Sequence, residues 1–394
     1  MLAEAHEHPG NTAISELSTP CLLLDRAKMR RNIQRLSDHI GGLGGTIRPH
    51  VKTHKSINVA REVIAGGNVS GITVSTLKEA EYFFENSIAD IFYAVGIAPN
   101  KFRTAAQLIK AGCDLKITLD SVEMAEQLAA FAADQVAADA DFSFPVLIEL
   151  DTDGHRSGTD PDSDELLAIG RVLAESAGCE LRGVMTHAGE SYACDTPESQ
   201  LAIARQERDR TVLAAERLRS AGMDCPVVSV GSTPTAFAID DLSGITEVRA
   251  GVYTFFDLVM AGIGVCDIDD IAVSVLVSVT GYQKDKGWVI TDGGWMAMSR
   301  DRGTEKQAVD HGYGVVLDAD GAPLEGFLVS GANQEHGIIS RRDSTQPVEF
   351  ATMPLGSLLR VLPNHACATV GQYDTLHVVD GPDVVARWGR TSGW

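Results

Sequence analysis

The sequence predicts an α/β protein: a (β/α)8 barrel followed by an all-β C-terminal domain. Three observations predict it. Between residues 46 and 253, eight short β-branched runs alternate with amphipathic helical runs. Beyond about residue 262 long helical runs stop, and short strands separated by turn residues take over. At 394 residues the chain has room for one large barrel and a smaller domain.

In chain order, Met1–Glu7 is acidic and lacks the basic start and apolar centre of a signal peptide, so it reads as a frayed tail. Thr19–Asp25 reads as a strand lent to the C-terminal domain, which sets residues 1–25 apart. The barrel is expected over 26–262. Its strands are Thr46–Lys52, Gly71–Ser75, Asp90–Val95, Leu115–Leu119, Pro145–Asp151, Leu181–His187, Pro226–Gly231 and Glu247–Tyr253. Helical stretches such as Leu77–Ser87, Lys101–Ala111, Val122–Ala137, Glu165–Ala177 and Pro197–Ala221 lie between them. Gly67, Asn86, Gly112, Gly178 and Gly222 close helices, as residues that tolerate left-handed backbone do. Eight strand–helix units imply parallel pairing and barrel closure. Over 263–394 the predicted strands are Ile271–Gly281, Gly287–Asp292, Gly314–Asp318, Gly326–Gly331, Ser357–Leu362 and Gln372–Val379.

Composition narrows the function. The formal net charge is 33 − 54 = −21, which disfavours nucleic-acid phosphates and anionic membranes as partners. An anionic substrate would need a local cluster of positive groups. Seven cysteines at irregular spacing, with no CxxC, do not form a disulfide framework, and reduced thiols in a cytoplasm are the simpler reading. No run approaches 18 apolar residues, so no membrane span is expected. The 38 glycines, nearly a tenth of the chain against an average near 7%, are dispersed and suggest many tight turns.

In such barrels functional groups gather at the C-terminal ends of the strands. The first strand ends in Arg48-Pro49-His50-Val51-Lys52-Thr53-His54-Lys55. A lysine there can lose its proton through desolvation and cationic neighbours and attack a carbonyl; a solvated basic loop fits the same residues. Glycines and hydroxyls follow the seventh strand (Gly231-Ser232-Thr233-Pro234-Thr235) and the eighth (Arg249-Ala250-Gly251-Val252-Tyr253). Together they offer a phosphate cradle, though each glycine alone is consistent with a turn. A phosphate-bearing aldehyde bound to Lys52 satisfies all three segments, and pyridoxal phosphate is such a molecule. In the C-terminal domain His365 and Cys367 are two apart, so on a strand they would share a face. Imidazole plus thiolate suits Zn²⁺, and less exclusively other divalent ions, although a lone H-x-C also arises by chance. Two protein ligands leave positions open, as a catalytic metal requires. Gln334-Glu335-His336-Gly337 is a polar knot after a strand, equally readable as a turn. Arg300 and Arg302 follow a predicted Gly293–Met298 strand; a guanidinium fork there could bind a second substrate carboxylate, or both could be solvated surface groups.

Four segments carry a resemblance to a known family: Arg48–Lys55, Gly231–Pro234, Gln334–Gly337 and His365–Thr369. With Ile72–Glu81, Glu149–Gly158, Gly293–Thr304 and Gly331–Gly337, they resemble the D-serine dehydratase and D-threonine aldolase family of pyridoxal-phosphate enzymes, of alanine-racemase-like fold (fold type III). The resemblance runs from about Thr19 to Trp394. It implies that Lys52 is the Schiff-base lysine and the base for the α-proton. It implies that Arg156 faces the pyridine nitrogen, a weaker electron sink than a carboxylate partner would give, and that His187 lies beside the ring. Tyr192, Thr233, Gly251 and Val252, with His50, Ser232 and Tyr253, would complete the cofactor site. His365 and Cys367 would hold one divalent metal, Zn²⁺ or Mn²⁺/Co²⁺, and Gln334, Arg300 and Arg302 are substrate-site candidates.

The implied reaction is metal-assisted β-elimination of water from a D-3-hydroxy amino acid. D-threo-3-hydroxyaspartate would give oxaloacetate and ammonia, and D-serine pyruvate. The alternative is an aldolase giving glycine and an aldehyde. Some aldolases of the family carry a carboxylate where Cys367 stands and a His where Tyr192 stands, which favours elimination here. A non-catalytic cofactor carrier would lack the C-terminal domain. The family also implies a homodimer with active sites shared between chains.

Overall fold

The computed structural model describes residues 12–394; the acidic segment Met1–Glu7 lies outside the described residues. The described residues divide into two compact units, one formed by residues 34–57 and 63–251 with the last two residues, the other by 12–33, 58–62 and 252–392. The strands in chain order are β1 (Thr12–Ala13), β2 (Cys21–Asp25), β3 (Ile47–Pro49), β4 (Ile72–Val74), β5 (Asp90–Gly96), β6 (Asp114–Leu119), β7 (Phe144–Leu150), β8 (Cys179–Thr186), β9 (Val227–Val230) and β10 (Glu247–Ala250). They continue as β11 (Val273–Gln283), β12 (Trp288–Thr291), β13 (Val315–Asp318), β14 (Pro323–Ala332), β15 (Gly337–Arg341), β16 (Leu358–Leu362), β17 (Thr375–Asp380) and β18 (Asp383–Gly389).

In the first unit β3–β10 form one parallel sheet in the order β3-β10-β9-β8-β7-β6-β5-β4. Bridges Ile47↔Val69 and His50↔Thr73 join its two ends, so the sheet closes into the eight-stranded barrel. All eight predicted strands are present. Their ends differ by at most two residues elsewhere and by three at two places: β3 stops at Pro49 and β10 at Ala250, each followed by a 3₁₀ turn, Val51–Thr53 and Val252–Thr254. The connections show why the sequence turns where it does. Thr76, Ser121, Ser163, Thr196 and Ser232 each stand before a helix and accept a backbone N–H from its first turn. Gly112, Gly178 and Gly222 supply the left-handed backbone that ends a helix, with φ of 95°, 77° and 83°.

In the second unit, ten strands make one sheet. Six of them, β11-β12-β15-β14-β13-β16, close on themselves through a β11–β16 pairing. β2 is inserted antiparallel to β11 and parallel to β17, as expected of a strand lent by the N-terminal segment. Its alternate side chains Cys21 and Leu23 pack with Ile14, Leu276, Val379 and Val384.

Three expectations need correction here. His365 and Cys367 are not on a strand: His365 precedes the short helix Ala366–Val370 and Cys367 lies in its first turn. The buried Asp257 carboxylate imposes this by accepting the Ala366 N–H at 2.8 Å. Gly293–Met298 is likewise not a strand, because β12 ends at Thr291 and Trp295–Met298 forms a helical turn. Strands β15 and β18 went unpredicted; β15 follows the Asn333–His336 turn, where Asn333 N–H donates to His336 O at 2.8 Å.

Candidate active site

β3 ends at Pro49, and His50 is held to β10 by its N–H donating to Ala250 O at 2.7 Å. Lys52 follows on the 3₁₀ turn, half-buried. Burial, then the charges of Lys52, Arg249 and His187, hold the His50 imidazole well below its ordinary pKa. His187 follows β8, and its Nδ1–H donates to Gly231 O at 3.1 Å. Burial lowers its pKa to about 3, helped by Lys52 and Arg156, while the Gly231 contact opposes the fall. The ring is therefore neutral, with Nδ1 protonated and Nε2 bare. Tyr192 is exposed on the 3₁₀ turn Gly189–Ala193, its ring centroid 6.1 Å from that of His187. Lys52, His50, His187 and Arg156 are thus brought within electrostatic reach of one another.

The loop after β9 adds hydroxyls. Ser232 Oγ lies 2.7 Å from Ser191 Oγ and caps the helix Thr233–Ala238. Thr233 Oγ1 is buried without a hydrogen-bond partner, a polar group awaiting one. Gly251 allows close approach: a Cβ there would lie 2.9 Å from His50 O and 3.2 Å from His50 Cβ. Gly231, at φ 134°, is required for another reason than a phosphate, because a Cβ would collide with the backbone of Arg249. Arg156 is exposed on a loop tied down by Ser157 Oγ donating to Glu149 Oε1 (2.9 Å) and Gly158 N–H donating to Asp120 Oδ2 (3.1 Å). A neutral imidazole, an orphaned hydroxyl and cationic groups around a half-buried lysine fit a phosphate-bearing aldehyde. Val252 and Tyr253 lie on the 3₁₀ turn assigned to the other unit, both buried.

Two basic residues expected at the mouth are engaged elsewhere. Arg48 is buried at the strand starts, where Nε meets Glu247 Oε2 at 2.7 Å and Nη1 meets Asp90 Oδ1 at 2.8 Å. Lys55 Nζ is 3.0 Å from the buried carboxylate of Glu79.

In the second unit His365 Nδ1 lies 2.6 Å from Asp301 Oδ2, and the ring also hydrogen-bonds Cys367. Burial lowers the imidazole's affinity for its proton, but Asp301 and Cys367 outweigh it and lift the pKa to about 11. A carboxylate on Nδ1 fixes the ring and turns Nε2 to the thiol, the arrangement that orients a metal-binding histidine. Imidazole, thiolate and this support fit one divalent ion. Arg302 Nη2 is paired with Asp310 at 2.7 Å, and the Arg300 guanidinium sits 4.8 Å from the Trp295 ring centre. Gln334 is exposed in the β14–β15 turn, where its carbonyl accepts Met296 N–H at 3.1 Å.

Comparison with known proteins now bears on both sites. Residues 24–259, more than half the chain, match the family described as alanine racemase, N-terminal domain, and residues 272–379 match a serine dehydratase domain. D-threo-3-hydroxyaspartate dehydratase of Delftia sp. (strain HT23) is 54% identical over 380 residues, 96% of this chain and 98% of its own. The chain belongs to the alanine-racemase-like family, in its D-serine dehydratase branch. D-serine dehydratase of Dictyostelium discoideum is 30% identical, over 95% of this chain and 96% of its own. A D-threo-3-hydroxyaspartate dehydratase solved as a cysteine-to-alanine variant in the metal-free form superposes with TM-score 0.93 at 52% identity, covering 97% of this chain and 100% of that one. A histidine-to-alanine variant gives 0.93 at 52% identity, over 98% and 97%. The two substituted positions are two residues apart in that protein.

For this alanine-racemase-like chain, sequence reasoning missed four buried or half-buried groups. Asp301 stands between the two arginines that drew attention, and the alternation of charge there was the available signal. Asp257 announced itself only as a helix cap. Glu207 and Arg249 gave no signal, because a charged residue in a helix or at a strand end ordinarily faces water.

Proposed function

We propose that this chain is a pyridoxal-phosphate- and divalent-metal-dependent lyase that dehydrates D-threo-3-hydroxyaspartate to oxaloacetate and ammonia, with D-serine as a second substrate giving pyruvate. One observation carries the reading: near-complete coverage at 54% identity with the enzyme of that name, together with a His and a Cys two residues apart in both chains. When bound, the cofactor supplies an electron-withdrawing ring that acidifies the α-proton, and the metal a Lewis acid that eases loss of the β-hydroxyl.

The remaining work falls to this chain's side chains. Lys52 Nζ holds the cofactor and takes the α-proton. Arg156 would pair with the cofactor's ring nitrogen, to which a guanidinium would not release a proton. His187, kept neutral, would line the cofactor site. Ser232, Thr233, Gly251, Val252 and Tyr253 receive the phosphate, with His50 and Tyr192 lining the site. His365 and Cys367 bind the metal, Zn²⁺ or Mn²⁺/Co²⁺. Residues 26–262 form the cofactor domain and 263–394 the metal domain, in a homodimer of the cytoplasm. No described helix is long and apolar enough to cross a membrane.

Supplying D-threo-3-hydroxyaspartate tests the reading. Oxaloacetate and ammonia, lost on chelation and restored by metal, are expected. Glyoxylate with glycine would make the chain an aldolase, and no turnover would remove the enzymatic reading. Arg300→Ala and Arg302→Ala, assayed on hydroxyaspartate against D-serine, decide whether either guanidinium reads the second carboxylate. Arg302 already has Asp310, so Arg300 is expected to show the larger change.

A further inference from the structure

The helix Pro197–Ser220 carries one buried carboxylate, and no step above uses it. Glu207 is 3% exposed. Its Oε1 accepts the N–H of Gly231 at 2.9 Å and the N–H of Ala188 at 3.1 Å. Ala188 follows His187, and Gly231 precedes Ser232 and Thr233, so a single oxygen fastens the loops after β8 and β9. Gly231 is held on both sides, since its carbonyl accepts from His187 Nδ1–H. The Thr235 hydroxyl, one helical turn beyond Ser232, also hydrogen-bonds the carboxylate. Thr211 Oγ1 donates to the Glu207 carbonyl at 2.6 Å and steadies the helix at this point.

Burying a carboxylate opposes folding unless hydrogen bonds compensate. An apolar side chain would fill the space but leave two loop N–H groups without acceptors. The arrangement therefore serves the loops rather than the helix. We propose that Glu207 is a positioning residue for the cofactor: by tying Ala188 and Gly231 to one oxygen, it sets the spacing of His187 and of the Ser232–Thr233 hydroxyls, and so controls affinity for pyridoxal phosphate. The proposal rests on the cofactor reading of this site.

The test is titration of the full-length apoprotein with pyridoxal phosphate, followed by absorbance, alongside thermal melting of the same apoproteins. Glu207→Ala is expected to weaken cofactor binding roughly ten- to a hundredfold, as loss of one or two charge-assisted hydrogen bonds implies. Glu207→Gln keeps a carbonyl oxygen that can accept both N–H groups, and is expected to recover most of that affinity. Leu173→Ala, in the buried face of the helix Asp164–Glu175, is the control. It is expected to lower the melting temperature and leave cofactor affinity unchanged. Affinity of Glu207→Ala within twofold of wild type, or a loss matched by Leu173→Ala at equal destabilisation, overturns the proposal. If Glu207→Ala does not fold, Glu207→Asp replaces it, withdrawing the carboxylate by one methylene. The same loss is then expected, and wild-type affinity overturns the proposal. Failure of the wild type itself to bind pyridoxal phosphate is a separate result, and it removes the cofactor reading.

Discussion

The two ends of the barrel strands treat charge in opposite ways. At the strand starts, Arg48 and Lys116 meet Glu247, Asp90 and Asp114 at 2.6–2.8 Å, and the charges pair off. At the strand ends, the side-chain charges that weigh most on His50 and His187 are cationic (Lys52, Arg249 and Arg156), and with burial they hold both imidazoles below their ordinary pKa. A paired cluster leaves little field, whereas an unbalanced one attracts an anion. The difference makes the strand ends the place where the proposed phosphorylated cofactor and dianionic substrate would be received.

The largest effect expected along this contrast is at Lys52. Lys52→Ala should cut oxaloacetate release by roughly a thousandfold or more, because nucleophile and base are lost together, with little change in melting temperature. Arg48→Met should do the reverse. It removes the paired cation of the buried Glu247, while Asp90 keeps Lys116, and should cost about 3 kcal/mol in urea denaturation, with cofactor affinity retained in the folded fraction. A loss of cofactor affinity there equal to that in Lys52→Ala would break the contrast.

A third prediction concerns pH. His187 has a folded pKa near 3, below its unfolded value near 6.5, so the unfolded chain binds more protons between the two. Its contribution to stability is complete above pH 6.5 and is lost as pH falls towards 3. His187→Asn should flatten that fall by about 3 kcal/mol between pH 6.5 and 4, read from denaturation midpoints. The smallest effect belongs to Thr233. Thr233→Val removes a buried hydroxyl that has no protein partner, so stability should hold or rise slightly, while cofactor affinity falls by roughly tenfold. Unchanged affinity would remove Thr233 from the phosphate site.

Much of this was legible in the sequence. Short β-branched runs between amphipathic helical runs located all eight barrel strands, because parallel strands buried on both faces are uniformly apolar and β-branched. They failed at β15 and β18, where neighbours rather than local propensity decide pairing. The H-x-C spacing marked His365 and Cys367, whose side chains do hydrogen-bond, but placed them on the wrong element, since spacing alone cannot see the Asp257 carboxylate that accepts the Ala366 N–H at the helix start. Likewise the basic run Arg48–Lys55 reads as one cluster along the chain, while in the barrel Arg48, Lys52 and Lys55 have three different sets of neighbours.

By itself, then, the sequence determined the barrel and the all-β domain with its borrowed strand, which follow from periodicity, and it offered Lys52, His365 and Cys367 as candidates whose roles the family resemblance implies. Tertiary structure alone decided which charges cancel, because cancellation depends on distances of about 3 Å between residues as far apart in sequence as Arg48 and Glu247, or His365 and Asp301. It also decided that Glu207, an unremarked helix residue, closes on the two loops flanking the proposed cofactor site.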